Sequence, residues 1–226
     1  MQQNTKHPNK TALFIGATGL TGKLLLSYLL QDNTYQQIIL LQRKKPTCHD
    51  PRIKWLKLDI ETLNENSLAK QTIDDFISCF GCTKKQFKSK EQFEKTEYKV
   101  LVTSAKIAKK AQATRMFMIS SIGAKASSIN SYLKTKGRIE KKLLALNFRS
   151  TIIFKPSLIT GNRNESRFLE NVSHLFFKVF MANKWPLVFQ NYTPISAKEI
   201  AKKMCYLVKQ EHTNGRIVLH NKDIRN

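Results

Sequence analysis

"FIGATGLTGKLLL", residues 14–26, runs out of an apolar stretch through Gly16, Gly19 and Gly22 and directly into a leucine run. Two explanations fit three glycines spaced by three between a strand and a helix. One is turn chemistry alone. The other is an anionic ligand that approaches the main chain closer than a side chain permits. Strand, G-x-x-G-x-x-G, helix is the order that binds a dinucleotide. Gly16 allows the tight exit, Gly19 the approach of pyrophosphate, and Gly22 the close packing of helix on strand. Thr18, Leu20 and Thr21 lie among these glycines, where the helix N-terminus offers free N–H groups and the positive end of its dipole.

The chain around this stretch supports the second explanation. TALFIG (11–16), QQIILLQR (36–43), RIKWLKLDI (52–60), DDFISCFG (74–81), RMFMISS (115–121) and STIIFKPS (150–157) read as strands. Helical spacing recurs over residues 20–31, 89–111 and 128–146, and a short helix is expected over 64–70. Strands alternating with helices predict a Rossmann-type, doubly wound α/β fold. Its sheet is mostly parallel, with helices on both faces. Uninterrupted apolar runs such as "IILL" and "MFMI" fit strands covered on both sides. Beyond Ser157 the rhythm loosens into an aromatic-rich helix (168–180), a short strand (186–190), a helix (196–209) and a last strand, RIVLH (216–220). This predicts a small C-terminal, substrate-side appendage. The 226 residues thus read as a disordered lead-in over 1–10 and one NAD(P)-binding domain over 11–226, with about 157–195 lining the substrate side.

Composition narrows the classes. Apolar residues at 41% and charged residues at 24% describe an ordinary globular chain. No stretch approaches the run of about 20 apolar residues that a membrane span needs. The opening MQQNTKHPNK has no apolar segment of the kind a signal peptide carries. The formal charge of +23 invites a nucleic-acid reading, but its 30 lysines and 9 arginines are scattered and never reach five in a row. No helix-turn-helix, zinc-finger or aromatic RNA-binding signature accompanies them, so no specific nucleic-acid partner is expected. Four cysteines without a secretion signal indicate a reducing compartment, and a cytoplasmic location is expected. Cys79-Phe80-Gly81-Cys82 matches C-x-x-C, but no second pair completes a zinc site and no helix start stabilises a thiolate. No metal site is expected.

The end of the second strand selects among dinucleotides. NAD-selective proteins place Asp or Glu there to hold the ribose 2′-hydroxyl. Here it reads Gln42-Arg43-Lys44-Lys45, and a cation at Arg43 or Lys44 suits a 2′-phosphate. NADP(H) is therefore favoured over NAD(H). Asp59 and Ile60, after the third strand, are placed to meet the adenine.

Tyr132-Leu133-Lys134-Thr135-Lys136 contains Y-x-x-x-K. In so lysine-rich a chain the bare spacing arises by chance. Its place gives it weight: both residues share a helical face, and that helix follows the strand ending in Ser120-Ser121. A carbonyl reductase needs a proton donor for the developing alkoxide. A phenol beside an ammonium is expected to have a lowered pKa suited to that task. Tyr132 is thus the expected proton donor, Lys136 its tuner and ribose anchor, and Ser121 the group that positions the substrate oxygen.

These elements, in this order, resemble the short-chain dehydrogenase/reductase superfamily, and within its atypical branch the Tat-interacting-protein-type oxidoreductases and their microbial relatives. GATGLTG (16–22), LLQRKK (40–45), FGCT (80–83), SSIGAK (120–125), YLKTKGRIE (132–140), FKPSLITGNRNESR (154–167) and TPISAKEIAKKM (193–204) carry the resemblance, which spans residues 11–220. It implies an NADP(H)-binding Rossmann domain with Ser121, Tyr132 and Lys136 in catalytic roles. It also implies that Phe80, Gly81, Cys82 and Thr83, and Pro156, Leu158 and Ile159, line the cofactor. Two features depart from the pattern. Lys155-Pro156-Ser157 stands where Arg-Pro-Gly is usual, and no Asn is assigned to complete the catalytic group.

The expected function is an NADPH-binding oxidoreductase acting on a small carbonyl-type substrate. The aromatic segment 168–189, with Trp185, is expected to cover an apolar pocket or to pack into the core. The alternative is a cofactor-loaded regulatory or redox-sensing protein that docks a protein partner with little turnover.

Overall fold

Residues 10–81, 89–161, 191–211 and 214–226 are described by the computed structural model. The strands are β1 (Lys10–Ile15), β2 (Tyr35–Gln42), β3 (Ile53–Lys57), β4 (Asp75–Ser78), β5 (Arg115–Ile119), β6 (Ser150–Phe154), β7 (Ile159–Thr160), β8 (Ile195–Ser196) and β9 (Gly215–Leu219). The helices are α1 (Leu20–Leu30), α2 (Lys90–Lys110), α3 (Ser131–Leu144), α4 (Ala197–Lys209) and α5 (Asn221–Arg225). Seven strands form one sheet in the order β3-β2-β1-β4-β5-β6-β9, and every pairing is parallel. The doubly wound α/β expectation holds.

Period-two alternation explains the two layers. Leu13 and Ile15 of β1 face one side, with Leu101 and Ala105 of α2 and Ile139 and Leu143 of α3. Ala12 and Phe14 face the other, with Leu25 and Leu29 of α1 and Ile200 and Met204 of α4. Both faces are covered over the inner strands, which carry apolar runs, whereas the outer strands β3 and β9 carry exposed residues such as Lys54, Lys57 and Arg216. The chain reverses direction along the sheet at β1, which lies between β2 and β4. Ligands of open parallel sheets bind at such a switch point, beyond the C-terminal strand ends.

Several local expectations are corrected. Residues 64–70 form successive turns and no α-helix. Ser67 N–H donates to Asn64 O and Ala69 N–H to Asn66 O, each spanning three residues, while the Asn64 side chain accepts from Asn66 N–H at 2.9 Å. Such short-range side-chain bonds compete with helix propagation. The helix expected from Ser128 begins at Ser131, because the Asn130 side chain accepts from the N–H groups of Tyr132 and Leu133. Lys10 already belongs to β1. The two-stranded β7–β8 ladder and α5 carried no recognised pattern in the sequence. The expected helix over 168–180 and strand over 186–190 lie outside the described residues.

A buried ionic cluster closes the N-terminal edge of the sheet. Arg115 donates to both carboxylate oxygens of Asp75, and the Tyr35 hydroxyl donates to the same carboxylate. Arg115 also donates to the carbonyls of Val208 and Gln210 at the end of α4, tying that helix to the sheet. A cavity of about 400 Å³, lined in part by Lys10, Asp74, Arg115 and Arg149, lies at this edge, opposite the switch-point crevice. Replacing Arg115 by Met should strand the Asp75 charge and cost about 3–5 kcal/mol of stability in urea unfolding. Dinucleotide affinity should be unchanged.

Candidate functional site

The glycine turn leaves β1 at the switch point. Gly16 has φ +84°, and a Cβ built on it would lie 2.4 Å from the Cys79 carbonyl carbon and the Phe80 nitrogen. Gly22, in the first turn of α1, would place a Cβ 2.0 Å from the Gly16 carbonyl oxygen. The fold itself therefore demands glycine at 16 and 22. Gly19 differs. Its backbone is extended, and an added Cβ would meet the Gly16 oxygen at 3.2 Å and the Cys79 oxygen at 3.9 Å. The protein crowds Gly19 least of the three. No side chain caps α1 and no acid occupies its first turn, so its dipole end has no anionic partner within the helix. A glycine turn with Gly19 half-buried, ahead of a helix N-terminus without a side-chain cap, fits a pyrophosphate.

The ends of β2 and β3 lie on the same edge. β2 ends at Gln42, whose side chain donates to the Lys44 carbonyl at 2.9 Å, and Arg43 and Lys44 follow as exposed cations. Gln42 Oε1 is buried without a hydrogen-bond partner among the described residues. Asp59, just past β3, accepts from Glu61 N–H and is half-buried with Ile60.

Ser121, Tyr132 and Lys136 converge beyond β5. The Lys136 Nζ sits 5.8 Å from the centre of the Tyr132 ring, one turn along α3. Lys136 is buried and forms an ion pair of 2.6 Å with Glu97 of α2, itself fully buried. A Cβ on Gly81 would stand 3.7 Å from Lys136 Nζ, so the segment leaving β4 runs beside this pair. The expected lowering of the Tyr132 pKa is not found. Burial pushes the phenol above its ordinary value, and the Glu97 charge adds to that rise. Lys136 and the Ser121 hydroxyl oppose it. Seating of α3 depends on Gly137, where a Cβ would come within 2.2 Å of the Lys125 carbonyl carbon.

A second buried carboxylate braces the adjacent strand end. Glu140, one turn beyond Lys136, accepts from the Ser120 hydroxyl and pairs with Lys155 at 2.8 Å. Lys155 of the Lys-Pro-Ser departure thus ties the loop after β6 to α3. Ser157 also makes use of its side chain. Its hydroxyl donates to the Thr193 carbonyl and accepts from Asn221 Nδ2, while Asn221 Oδ1 accepts from Ser157 N–H. Pro156 is buried, and Leu158 and Ile159 are half-buried. A Cβ on Gly161, just beyond β7, would meet Leu20 at 3.1 Å, so this loop returns to the glycine turn.

Gly16 through Gly22, Arg43, Lys44, Asp59, Ile60, Phe80, Gly81, Ser121, Tyr132, Lys136, Pro156, Leu158 and Ile159 all lie along the C-terminal strand edge. Cys82 and Thr83 lie outside the described residues. Cys79 is no redox centre by environment, since burial pushes its thiol far above the ordinary value. Sequence reasoning missed Glu97, Glu140 and Asn221. A signal existed for both acids. Glu97 precedes Val100 and Leu101 on the apolar stripe of α2, and Glu140 precedes Leu143 on that of α3. Among the described residues no cluster of His, Cys, Asp and Glu could hold a metal, and no helix is long and apolar enough to cross a membrane.

Residues 16–176 match a family described as NAD(P)H-binding. The chain is 33% identical to Protein FMP52, mitochondrial, of Debaryomyces hansenii, over 91% of its own length and 90% of that protein's. It is 31% identical to rat Protein HTATIP2 over 78% and 74%. Among solved structures it resembles the oxidoreductase ylbE from Lactococcus lactis, with TM-score 0.65, 19% identity and coverage of 95% and 94%. It also resembles UDP-glucose 4-epimerase from Bifidobacterium longum in complex with NAD+ and UDP, with TM-score 0.65, 16% identity and coverage of 92% and 77%. At such identities these two structures show the shared fold. The cytoplasmic expectation is overturned by the sequence relatives. Those from D. hansenii, Lodderomyces elongisporus and Scheffersomyces stipitis are named mitochondrial proteins. The cysteine argument reports reducing conditions, which do not distinguish one intracellular compartment from another.

Gly19→Ala separates fold from ligand. Unfolding stability should stay within about 1 kcal/mol of the parent. Calorimetric dinucleotide affinity should fall at least about tenfold.

Proposed function

The chain belongs to the NAD(P)H-binding family, and on that premise we propose that it is an oxidoreductase that reduces a small carbonyl compound with NADPH, with Tyr132 as the proton donor. The observation that carries this reading is the meeting of Ser121, Tyr132 and Lys136 on the strand edge that also bears the glycine turn. The main-chain N–H groups around Gly19 and the first turn of α1 would hold the pyrophosphate. Arg43 and Lys44 would hold the 2′-phosphate. Phe80, Gly81, Pro156, Leu158 and Ile159 would flank the remaining part. NADPH over NADH is supported by Gln42 in place of a carboxylate at the end of β2 and by the two exposed cations that follow.

When bound, the dihydronicotinamide supplies hydride. The chain supplies the rest. Ser121 offers a hydroxyl to the substrate oxygen, and Tyr132 donates its phenolic proton to that oxygen as negative charge develops there. A phenol held above its ordinary pKa stays protonated at neutral pH, which suits donation in the reductive direction. Lys136, fixed beside the ring, supplies the positive charge that stabilises the tyrosinate left behind. The mitochondrial names of the fungal relatives support a mitochondrial setting for this chain.

NADPH oxidation across a panel of aldehydes and ketones tests this reading. Tyr132→Phe should lower kcat at least about a hundredfold with NADPH affinity retained. Tight NADPH binding without turnover on any substrate would replace the reductase with a cofactor-binding regulatory protein. Joint replacement of Arg43 and Lys44 by Ala should weaken NADPH at least about tenfold and leave NADH unchanged.

A further inference from the structure

Glu97 stands out as a charged residue on a face built for aliphatic side chains. It lies on the inner stripe of α2 with Val100, Leu101, Ala105 and Ala108, and none of its surface reaches solvent. A leucine would satisfy that stripe, whereas a buried carboxylate carries a desolvation cost that only a close cation offsets. The cation is Lys136, held by Glu97 Oε1 at 2.6 Å. Glu97 Oε2 has no hydrogen-bond partner among the described residues. One oxygen is therefore committed to Lys136, and among the described residues no second bond explains the placement of the acid.

Building on the reductase reading above, we propose that Glu97 is a positioning residue. It clamps the Lys136 ammonium in place and sets the pH range over which Tyr132 donates its proton. Lys136 lies 5.8 Å from the Tyr132 ring centre, near enough to favour tyrosinate strongly if its charge stood alone. Glu97 at 2.6 Å from the ammonium offsets part of that charge as the phenol senses it. Among the described residues the groups acting on Tyr132 are Lys136 from its own helix, Glu97 from α2 and the Ser121 hydroxyl from the loop after β5. The Glu140–Lys155 pair, one turn further along α3, is internally neutralised. Burial raises the phenol most, and Glu97 adds to that rise by opposing Lys136. Without Glu97 the Lys136 charge would act on the phenol unopposed by that carboxylate and draw it downward.

The test follows the phenol directly. Ultraviolet titration of the folded protein, minus the same titration of its Tyr132→Phe counterpart, isolates Tyr132 among the six tyrosines. In Glu97→Gln the midpoint should fall by about one pH unit. The alkaline limb of NADPH-driven reduction should move down with it, because activity is lost as pH rises through the donor's pKa. In the double variant Glu97→Gln/Lys136→Met, both charges are gone and the midpoint should return to or above the parent value. An unchanged midpoint in folded Glu97→Gln, or no return in the double variant, overturns the proposal. If Glu97→Gln does not fold, Lys136→Met is compared with the double variant. The unopposed carboxylate must then give the higher midpoint, and equal midpoints overturn the proposal. A shifted phenol without turnover on any carbonyl supports the Glu97 coupling and overturns the reductase reading instead.

Discussion

Everything at the candidate site depends on how closely helix α1 approaches the end of β1. With Gly22 bare against the Gly16 carbonyl, the helix starts at once where the strand stops, and its N-terminus points into the crevice. Any Cβ at Gly22 would push the helix away by more than a bond length, since the nearest oxygen would lie at 2.0 Å. Gly16 performs the matching service toward β4, because its backbone touches the Cys79–Phe80 peptide. Two backbone contacts thus lock three adjacent segments together. The third glycine is left over by the fold, and its bare main chain is what an anion can use.

The second organising feature is the use of acids. The chain has 16 Asp and Glu against 39 Lys and Arg, yet three acids among the described residues are buried. Each holds a base. Asp75 holds Arg115 at the N-terminal edge, Glu97 holds Lys136, and Glu140 holds Lys155. The last two pairs join α2 to α3 and α3 to the loop after β6. They fix the α3 face that carries Tyr132. Among the described residues these buried acids are each matched by a cation, and exposed cations such as Arg43 and Lys44 contribute to a positive surface. A cationic surface raises the local concentration of a polyanionic cofactor, and balanced buried pairs keep the lysine beside the phenol from acting as a bare charge.

The fold was legible because its signals are local and repeated. Apolar runs of strand length separated by helical stripes read as a parallel sheet covered on both faces, and the helical segments expected from residues 89 and 196 begin within a residue of those positions, where Ser89 and Ser196 act as caps. Misreadings occurred where short-range polar chemistry competes with propensity. Asn64 diverts its segment into turns, and Asn130 delays the start of α3 by three residues relative to the apolar pattern. The Lys-Pro-Ser segment read as a departure, but in space it is an alternative fastening through Glu140 and Asn221.

The sequence by itself determined a parallel sheet with helices on both faces and the edge on which the chemistry would gather, since periodicity and glycine spacing are written along the chain. Tyrosine and lysine four residues apart on one helix belong to that same local code. Only the tertiary structure decided the electrostatic state of that pair. Burial and Glu97, which enters from a helix 35 residues earlier, turn the expected lowering of the phenol into a rise. Spacing along a chain specifies which groups can meet, but the charge a group senses depends on everything packed around it.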